Sequence, residues 1–214
     1  SETFLREWTS LVESKSGERG IFNRVSAKKQ AAKNERRDPN YDFGTNPCSE
    51  IILRPYQFCN LTEVVVKEGD SDKDIKNKIR LATILGTAQA TLTDFPYLRK
   101  IWRNNTEEER LLGVSLTGIM DNIHTNCYLV DMDKRLPRFK QVAIDTNKKY
   151  AKEFGIQEST AITCVKPSGT VSQLCDSASG IHARHSKYYI RTVRGDNKDP
   201  LTKFMIDQGV PSEP

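Results

Sequence analysis

The chain has 214 residues, of which 29% are charged and 36% hydrophobic, and its formal net charge is +5. Apolar runs recur along its length, so the composition excludes a disordered chain, and the size suits one sizeable domain or a piece of a larger one. Both charge signs are interspersed, which favours anionic partners only weakly and predicts no nucleic-acid partner. No apolar run reaches the roughly 18 residues of a membrane span, and the first residues lack a signal-peptide pattern.

Five cysteines stand at positions 48, 59, 127, 164 and 175. An odd number without a Cys-x-x-Cys pair argues against a secreted disulfide framework and against a structural zinc site. His182 and His185 are spaced like helical metal ligands, but no third ligand accompanies them, so no metal site is predicted. Together these features indicate a soluble protein of the reducing cytoplasm.

Helical and extended patterns alternate along the chain. Apolar spacing and capping residues predict helices over residues 1–15, 26–37, from 71 onwards, 137–154 and 201–208, with a further helix start at Thr106 in a capping-box pattern with Glu109. Strands are predicted at 60–66, 111–119, 161–165 and 188–193. Strands that alternate with helices imply βαβ units with parallel pairing, so the fold class is α/β.

One stretch carries three polar groups at alternate positions, Asn46, Cys48 and Glu50. Pro47 pushes the backbone of Asn46 towards extended geometry, and in extended backbone alternate side chains share a face. The stretch therefore predicts that an amide, a thiol and a carboxylate point the same way. Residues 51–53 continue as an apolar run, which would place these groups at a strand or loop tip that faces a pocket.

A second stretch, Lys166-Pro167-Ser168-Gly169-Thr170-Val171-Ser172, follows a predicted strand and opens a predicted helix. Gly169 would allow close backbone approach, and the amides and hydroxyls at a helix N-terminus can bind a phosphate group. By itself the pattern is a weak signal and is more often that of an ordinary turn.

The two stretches together resemble a known family. Asn46-Pro47-Cys48-Ser49-Glu50-Ile51, followed by Phe58-Cys59-Asn60-Leu61, is similar to the active-site finger loop of ribonucleotide reductase large subunits. The second cysteine follows the first by 11 positions, a short gap that resembles the adenosylcobalamin-dependent, monomeric branch more than the di-iron branch. Residues 16–24, 166–172 and 180–189 resemble the family in the same order.

The resemblance implies a fold. Family members have a ten-stranded α/β barrel with the finger loop threaded through its middle, and this chain resembles only part of that barrel. Residues 1–214 are therefore expected to form one partial domain, with the finger loop at about 44–60 and the phosphate loop at about 166–172.

The resemblance also implies roles for single residues. Cys48 would carry the thiyl radical that takes hydrogen from C3′ of the ribose, and Glu50 would be the general base at the 3′-hydroxyl. Asn46 would hydrogen-bond the sugar, and Cys59 would be one of two thiols that end as a disulfide. The residues implied to bind substrate are Thr45, Pro167, Ser168, Gly169, Thr170 and Val171.

The implied activity is the reduction of ribonucleotides to 2′-deoxyribonucleotides for DNA synthesis. Its cofactor would be adenosylcobalamin, although no cobalamin-binding segment is recognisable in the sequence. The implied partners are the ribonucleotide, a dithiol reductant such as thioredoxin, and the rest of the barrel. Because no partner thiol for Cys59 is recognisable, we expect the chain to be inactive by itself.

Two alternatives stay open at this point. One is a fragment of a di-iron ribonucleotide reductase. The other is a nucleotide-binding module without chemistry, for which the phosphate loop would suffice and Glu50 would be idle. Cys127, Cys164 and Cys175 are interpreted as small buried apolar residues.

Overall fold

The computed structural model describes residues 1–15, 20–33, 36–126 and 131–213. These residues fall into two compact units, 1–184 and 185–214, and each is described by itself. Residues 16–19 of the motif at 16–24, and Cys127, lie outside the described residues.

The first unit begins with two helices. Helix α1 spans Glu2–Ser14, as predicted, and none of its residues is buried. Helix α2 spans Arg24–Ala31 and is capped by Asn23, whose side chain accepts a hydrogen bond from the Ser26 amide. The helix therefore begins before the start predicted at residue 26, where Ser26 was expected to be the N-cap, and it ends at Ala31 rather than at the predicted residue 37. The buried alanines of α2 pack against Phe43, which brings the chain to the hairpin described below.

A parallel βαβ unit follows. Strand β3 (Asn60–Val65) leads through helices α3 (Asp72–Gln89) and α4 (Lys100–Glu109) to strand β4 (Leu112–Thr117). The two strands pair in parallel, with Asn60 opposite Leu112 and Val65 opposite Thr117. Ser71 and Asp74 form a capping box at the start of α3, so the predicted start of that helix and the parallel pairing are both confirmed.

One face of this sheet is covered by helices. Helix α5 spans Met132–Glu153, and it packs with α3 over the sheet in a continuous apolar core. The buried members of that core are Val64, Val66, Ile75, Ile79, Val114, Phe139 and Ala143. Burial of apolar surface is the main stabilising contribution here, and the opposite face of the sheet is left for the polar groups of the site.

Several predicted elements differ from the structure. Thr106 and Glu109 lie in the last turn of α4 rather than at a helix start. In α5 the helix begins before Pro137, which lies inside it. In the predicted strand at 161–165, only Thr163 pairs with Val114, as an isolated parallel bridge.

The remaining elements are short. Strands β1 (Gly44–Thr45) and β2 (Ile52–Leu53) form an antiparallel hairpin, a 3-10 turn spans Ile119–Asp121, and helix α6 spans Gly169–Leu174. The second unit contains helix α7 (Pro200–Asp207), as predicted. Residues 188–193 are exposed and do not form a strand, so the strand predicted there is wrong.

The α/β class is confirmed by this mixed architecture. The described residues hold a two-stranded parallel sheet and a two-stranded hairpin, so they do not display a ten-stranded barrel. Among the helices of the described residues, none combines the length and apolar character that crossing a membrane requires.

Candidate active site

The hairpin β1–β2 carries the first group of candidate residues at its tip. Between the two strands the backbone turns, because the Ser49 amide donates to the Asn46 carbonyl at 3.0 Å. Ser49 has a φ of 65°, a left-handed conformation that is costly for a residue other than glycine. The extended geometry predicted across residues 46–50 is therefore wrong. Cys48 lies in the turn with an exposed thiol.

Asn46 organises this turn. Its Oδ1 accepts hydrogen bonds from the Ile51 amide at 3.1 Å and from Thr45 Oγ1 at 3.4 Å. Both bonds use the oxygen, so the side-chain amide group is oriented, and its two N–H donors stay available for a ligand.

A buried ionic network holds the base of the hairpin. Glu109 at the end of α4 has a fully buried side chain and binds Arg37 Nε at 3.1 Å and Arg54 Nη2 at 2.9 Å. Its other oxygen accepts a hydrogen bond from Gln57 Nε2 at 2.6 Å. Arg37 also donates to the Ile52 carbonyl of β2. The two arginines, one on each side of the hairpin, are thus tied to the same carboxylate.

Ile51 fixes the hairpin over the sheet face opposite the helices. A Cβ at Gly113 of β4 would lie 2.4 Å from Leu61 Cδ2, and 3.0 Å from both Ile51 Cδ1 and Cys164 Sγ. A larger residue at this position would have to displace the Leu61 side chain and press on Ile51 and Cys164. The hairpin, strand β3 and the segment after the Thr163 bridge therefore meet at Gly113.

Two thiols and a carboxylate lie together on this face. Burial raises the pKa of Cys59, and the negative charge of Glu50 raises it further. Burial, Glu50 and Cys59 also raise the pKa of Cys164 to about 12. Both thiols are consequently protonated at neutral pH. A protonated thiol is a weak nucleophile but retains the S–H hydrogen that a radical reaction uses.

A second polar cluster continues along the same face. Glu63 of β3 lies opposite Ser115 of β4 in the strand register. The Lys166 amide donates to Ser115 Oγ at 3.0 Å, and Lys166 Nζ donates to Glu63 Oε2 at 3.3 Å. Lys166 is the first residue of the predicted phosphate loop, which therefore leaves the sheet beside Glu63.

Three buried polar atoms of this region have no hydrogen-bond partner among the described residues: Glu50 Oε2, Glu63 Oε1 and Ser168 Oγ. Buried polar groups are nearly always paired, and an unpaired one is a common feature of a ligand site. The structure thus brings Glu50, Cys59 and the start of the phosphate loop to one face of the sheet. Cys48 remains at the exposed tip.

The other predicted substrate residues have different surroundings. Ser168 is 2% exposed, whereas Pro167, Gly169, Thr170 and Val171 are exposed. Gly169 has no atom within 4 Å of the position of a Cβ. Thr45 lines an open cavity of about 370 Å³ at the hairpin base, with Arg54 and Trp102 among its walls.

Three residues of this site were not predicted from the sequence. Gly113 could have been found as an isolated glycine inside a strand pattern, which marks a close approach. Cys164 was interpreted as a small buried apolar residue, although it stands two positions before the phosphate loop. Glu63 had a signal too, since it is the one charged residue of the predicted strand. Within the described ranges no group of three or more His, Cys, Asp or Glu side chains could hold a metal ion.

The geometry defines a class of protein: an α/β domain that presents thiols, a carboxylate and a loop of small polar residues on one sheet face.

No family profile matches the chain. Curated relatives do, and they include the adenosylcobalamin-dependent ribonucleoside-triphosphate reductase of Lactobacillus gasseri, which is 31% identical over 80% of this chain and 26% of its own length. The same enzyme of Lacticaseibacillus paracasei is 28% identical over 96% of this chain and 31% of its own length.

Solved structures agree with these relatives. A crystal structure of a B-12 dependent, class II ribonucleotide reductase matches with a TM-score of 0.54 and 27% identity, over 65% of this chain and 22% of that chain. The alpha subunit of the class Id reductase of Actinobacillus ureae matches with a TM-score of 0.58 over 100% of this chain and 45% of that one. Its identity is 16%, so this second likeness concerns the fold alone.

The chain is therefore homologous to the catalytic subunits of the ribonucleotide reductase family, which confirms the resemblance found in the sequence. Its curated relatives are of the adenosylcobalamin-dependent class. The chain spans about a quarter to a third of their length, 26% and 31% in the two cases above.

Proposed function

We propose that this chain forms part of the catalytic barrel of an adenosylcobalamin-dependent ribonucleotide reductase. In this proposal it contributes the finger loop and the phosphate loop to the reduction of a ribonucleotide. The observation that carries the proposal is the cluster of Glu50, Cys59 and Lys166 around Cys164 on one sheet face. A nucleotide-binding module without chemistry would not need two thiols beside an unpartnered carboxylate oxygen.

The proposed reaction uses the residues of this chain in a definite order. A Cys48 thiyl takes the hydrogen atom from C3′, Glu50 accepts the proton of the 3′-hydroxyl, and the 2′-hydroxyl leaves as water with a proton from one of the two reducing thiols. In total, Cys59 and a second thiol supply two electrons and two protons, one proton to that water and one to C2′, and become a disulfide, while C3′ recovers its hydrogen from Cys48. An external dithiol, for which thioredoxin is the proposed donor, would restore the pair.

Adenosylcobalamin is named in the relatives, and we carry it over as the proposed cofactor. When bound, it supplies the radical chemistry of such enzymes. The feature that fits it is the exposed thiol of Cys48 at the hairpin tip, which a reactive group outside this chain could reach. We assign no residue of this chain to hold the cofactor.

The exposure of Cys48 at the hairpin tip also affects the activity expected of the isolated chain. A radical in contact with water is open to side reactions that a closed site prevents. We therefore propose that the 214 residues need further polypeptide to close the barrel over Cys48. The isolated chain is expected to form no deoxynucleotide, and co-expression with the remaining barrel should restore turnover and raise the melting temperature.

The proposal is tested by the turnover of full-length enzyme that contains this segment, assayed as deoxynucleotide formed with adenosylcobalamin and a dithiol. Cys48→Ser should abolish turnover while substrate binding stays nearly intact, because an O–H bond is too strong for a hydroxyl to replace the thiol. Cys59→Ser should leave the radical step but prevent normal reduction. Turnover above background in Cys48→Ser would exclude the radical role of Cys48.

The phosphate loop is tested separately through Gly169. A side chain there meets no protein atom within 4 Å, so Gly169→Val should perturb the fold little and act on the ligand. We expect nucleotide binding to weaken by about 1–3 kcal/mol if one or two phosphate hydrogen bonds are lost. An unchanged dissociation constant by calorimetry, in folded protein, would count against the loop.

A further inference from the structure

We propose that Glu63 is a positioning residue for substrate phosphate recognition: it holds Lys166 so that the loop that follows is fixed on the sheet. The inference rests on the proposed function: it adds Glu63 to the site and gives a specific role to Lys166, the first residue of the phosphate loop. Neither is among the substrate-binding residues inferred above.

The strand register brings the two holding groups side by side. Glu63 of β3 and Ser115 of β4 are directly paired, so their side chains lie on the same face of the sheet. Ser115 Oγ accepts from the Lys166 amide, and Glu63 Oε2 accepts from the Lys166 ammonium group. Lys166 is therefore held at both its backbone and its side-chain end.

The next residue adds a backbone restraint. Pro167 disfavours helical geometry at Lys166. Helix α6 therefore cannot extend back to Lys166. Held in this way, Lys166 fixes the point at which Ser168 and Gly169 leave the sheet. The loop thus starts beside Cys164, which interacts electrostatically with Lys166, Glu50 and Cys59.

The burial of Glu63 is not explained by this segment's fold alone. Its side chain is 9% exposed, and that of Lys166 is 22% exposed. One carboxylate oxygen binds Lys166, but the other is buried without a partner among the described residues. Leaving a buried acceptor unpaired is unfavourable, and such a cost is typical of a group kept for function.

The direction in which Glu63→Gln changes nucleotide affinity distinguishes two roles of Glu63. If Lys166 simply bound phosphate, Glu63 would compete for it, and removing the negative charge in Glu63→Gln would strengthen nucleotide binding. If Glu63 positions Lys166, the same variant loses the restraint and weakens nucleotide binding. The two roles of Glu63 thus predict opposite changes.

The experiment measures the dissociation constants of CTP and of cytidine by calorimetry in the full-length protein. Glu63→Gln and Lys166→Met should each weaken CTP binding about tenfold. Cytidine carries no phosphate, so its affinity should change less than about twofold and also reports that the variant is folded. Lys166→Arg keeps the cation and should retain CTP binding within about threefold.

A matched control is available in the first unit. Lys78 forms a half-buried ion pair with Asp70, with side chains 35% and 14% exposed, and Lys78→Met should change neither affinity. If a single variant does not fold, Glu63→Gln combined with Lys166→Met leaves no unpaired charge and carries the same prediction.

Unchanged or tighter CTP binding in Glu63→Gln would overturn the positioning role while the proposed function stands. If the unmodified protein binds neither CTP nor cytidine, the proposed function fails and this inference fails with it.

Discussion

The base and the tip of the β1–β2 hairpin are built in opposite ways. At the base, the buried carboxylate of Glu109 is bound by Arg37, Arg54 and Gln57. At the tip, a single turn hydrogen bond and the side chain of Asn46 hold the backbone, Ser49 has a left-handed conformation, and Cys48 is exposed.

The difference separates stability from reactivity. The base orients the hairpin through groups that take no part in the proposed chemistry, so the reactive groups at the tip do not have to stabilise the fold. A candidate radical residue can then stay accessible while its position is set from below. Three predictions test this separation.

The largest effect is expected at the base. Glu109→Ala leaves two buried guanidinium groups without their shared carboxylate and should destabilise the chain by about 3–5 kcal/mol. The measurement is urea-induced unfolding followed by circular dichroism. Glu108→Ala is the control, because Glu108 binds Arg54 from a side chain that is 54% exposed and should cost no more than about 1 kcal/mol. Equal effects of the two variants would contradict a special role for the base.

An intermediate effect is expected at Asn46. Asn46→Ala removes the acceptor of the Ile51 amide and should cost about 1–2 kcal/mol in the same unfolding experiment. Asn46→Asp keeps an acceptor oxygen, so it should retain most of the stability while it loses the two N–H donors. If Asn46→Asp is as destabilising as Asn46→Ala, the turn does not depend on that oxygen.

The smallest effect concerns thiol reactivity. Because the pKa of Cys59 is raised and that of Cys164 is raised to about 12, both should resist iodoacetamide at pH 8, whereas the exposed Cys48 reacts. Their alkylation should accelerate as the pH rises towards these pKa values, since the thiolate is the reactive form. Mass spectrometry of the labelled peptides reports each cysteine separately.

Glu50→Gln sharpens this measurement. Removing the negative charge lowers the pKa of both thiols, so their alkylation at pH 8 should rise by about three- to tenfold. Half-buried Cys175 is the control thiol and should react at an unchanged rate. No change at Cys59 and Cys164 would remove Glu50 from their surroundings.

Sequence patterns anticipated the elements whose signals are local. The start of helix α3 at Ser71 and the apolar strands around Val64 and Val114 are examples, since helix-start signals and strand periodicity need only near neighbours. The candidate groups of the finger loop were also recognisable, because their order along the chain resembles one family.

The features that sequence did not predict depend on distant partners. Thr106 and Glu109 match the capping-box pattern of a helix start. In the structure Glu109 lies at a helix end, where two arginines 55 or more positions away bind its carboxylate. The turn at Ser49 is set by the Asn46 hydrogen bonds rather than by the extended preference of a residue before proline. The meeting of Cys164 with Ile51 requires the register of β4, which no local pattern encodes.

The strand register also has a consequence for how the molecule folds. Asn60 and Leu112 are paired across a long chain separation, and closing such a loop costs entropy before any pairing repays it. Glu109 reaches its buried position only when α4 and β4 have docked, so the arginines of the hairpin have no carboxylate to bind until then. The hairpin base should therefore gain hydrogen-exchange protection together with the βαβ unit, as one cooperative folding unit, while the turn at Cys48 opens and exchanges independently of it.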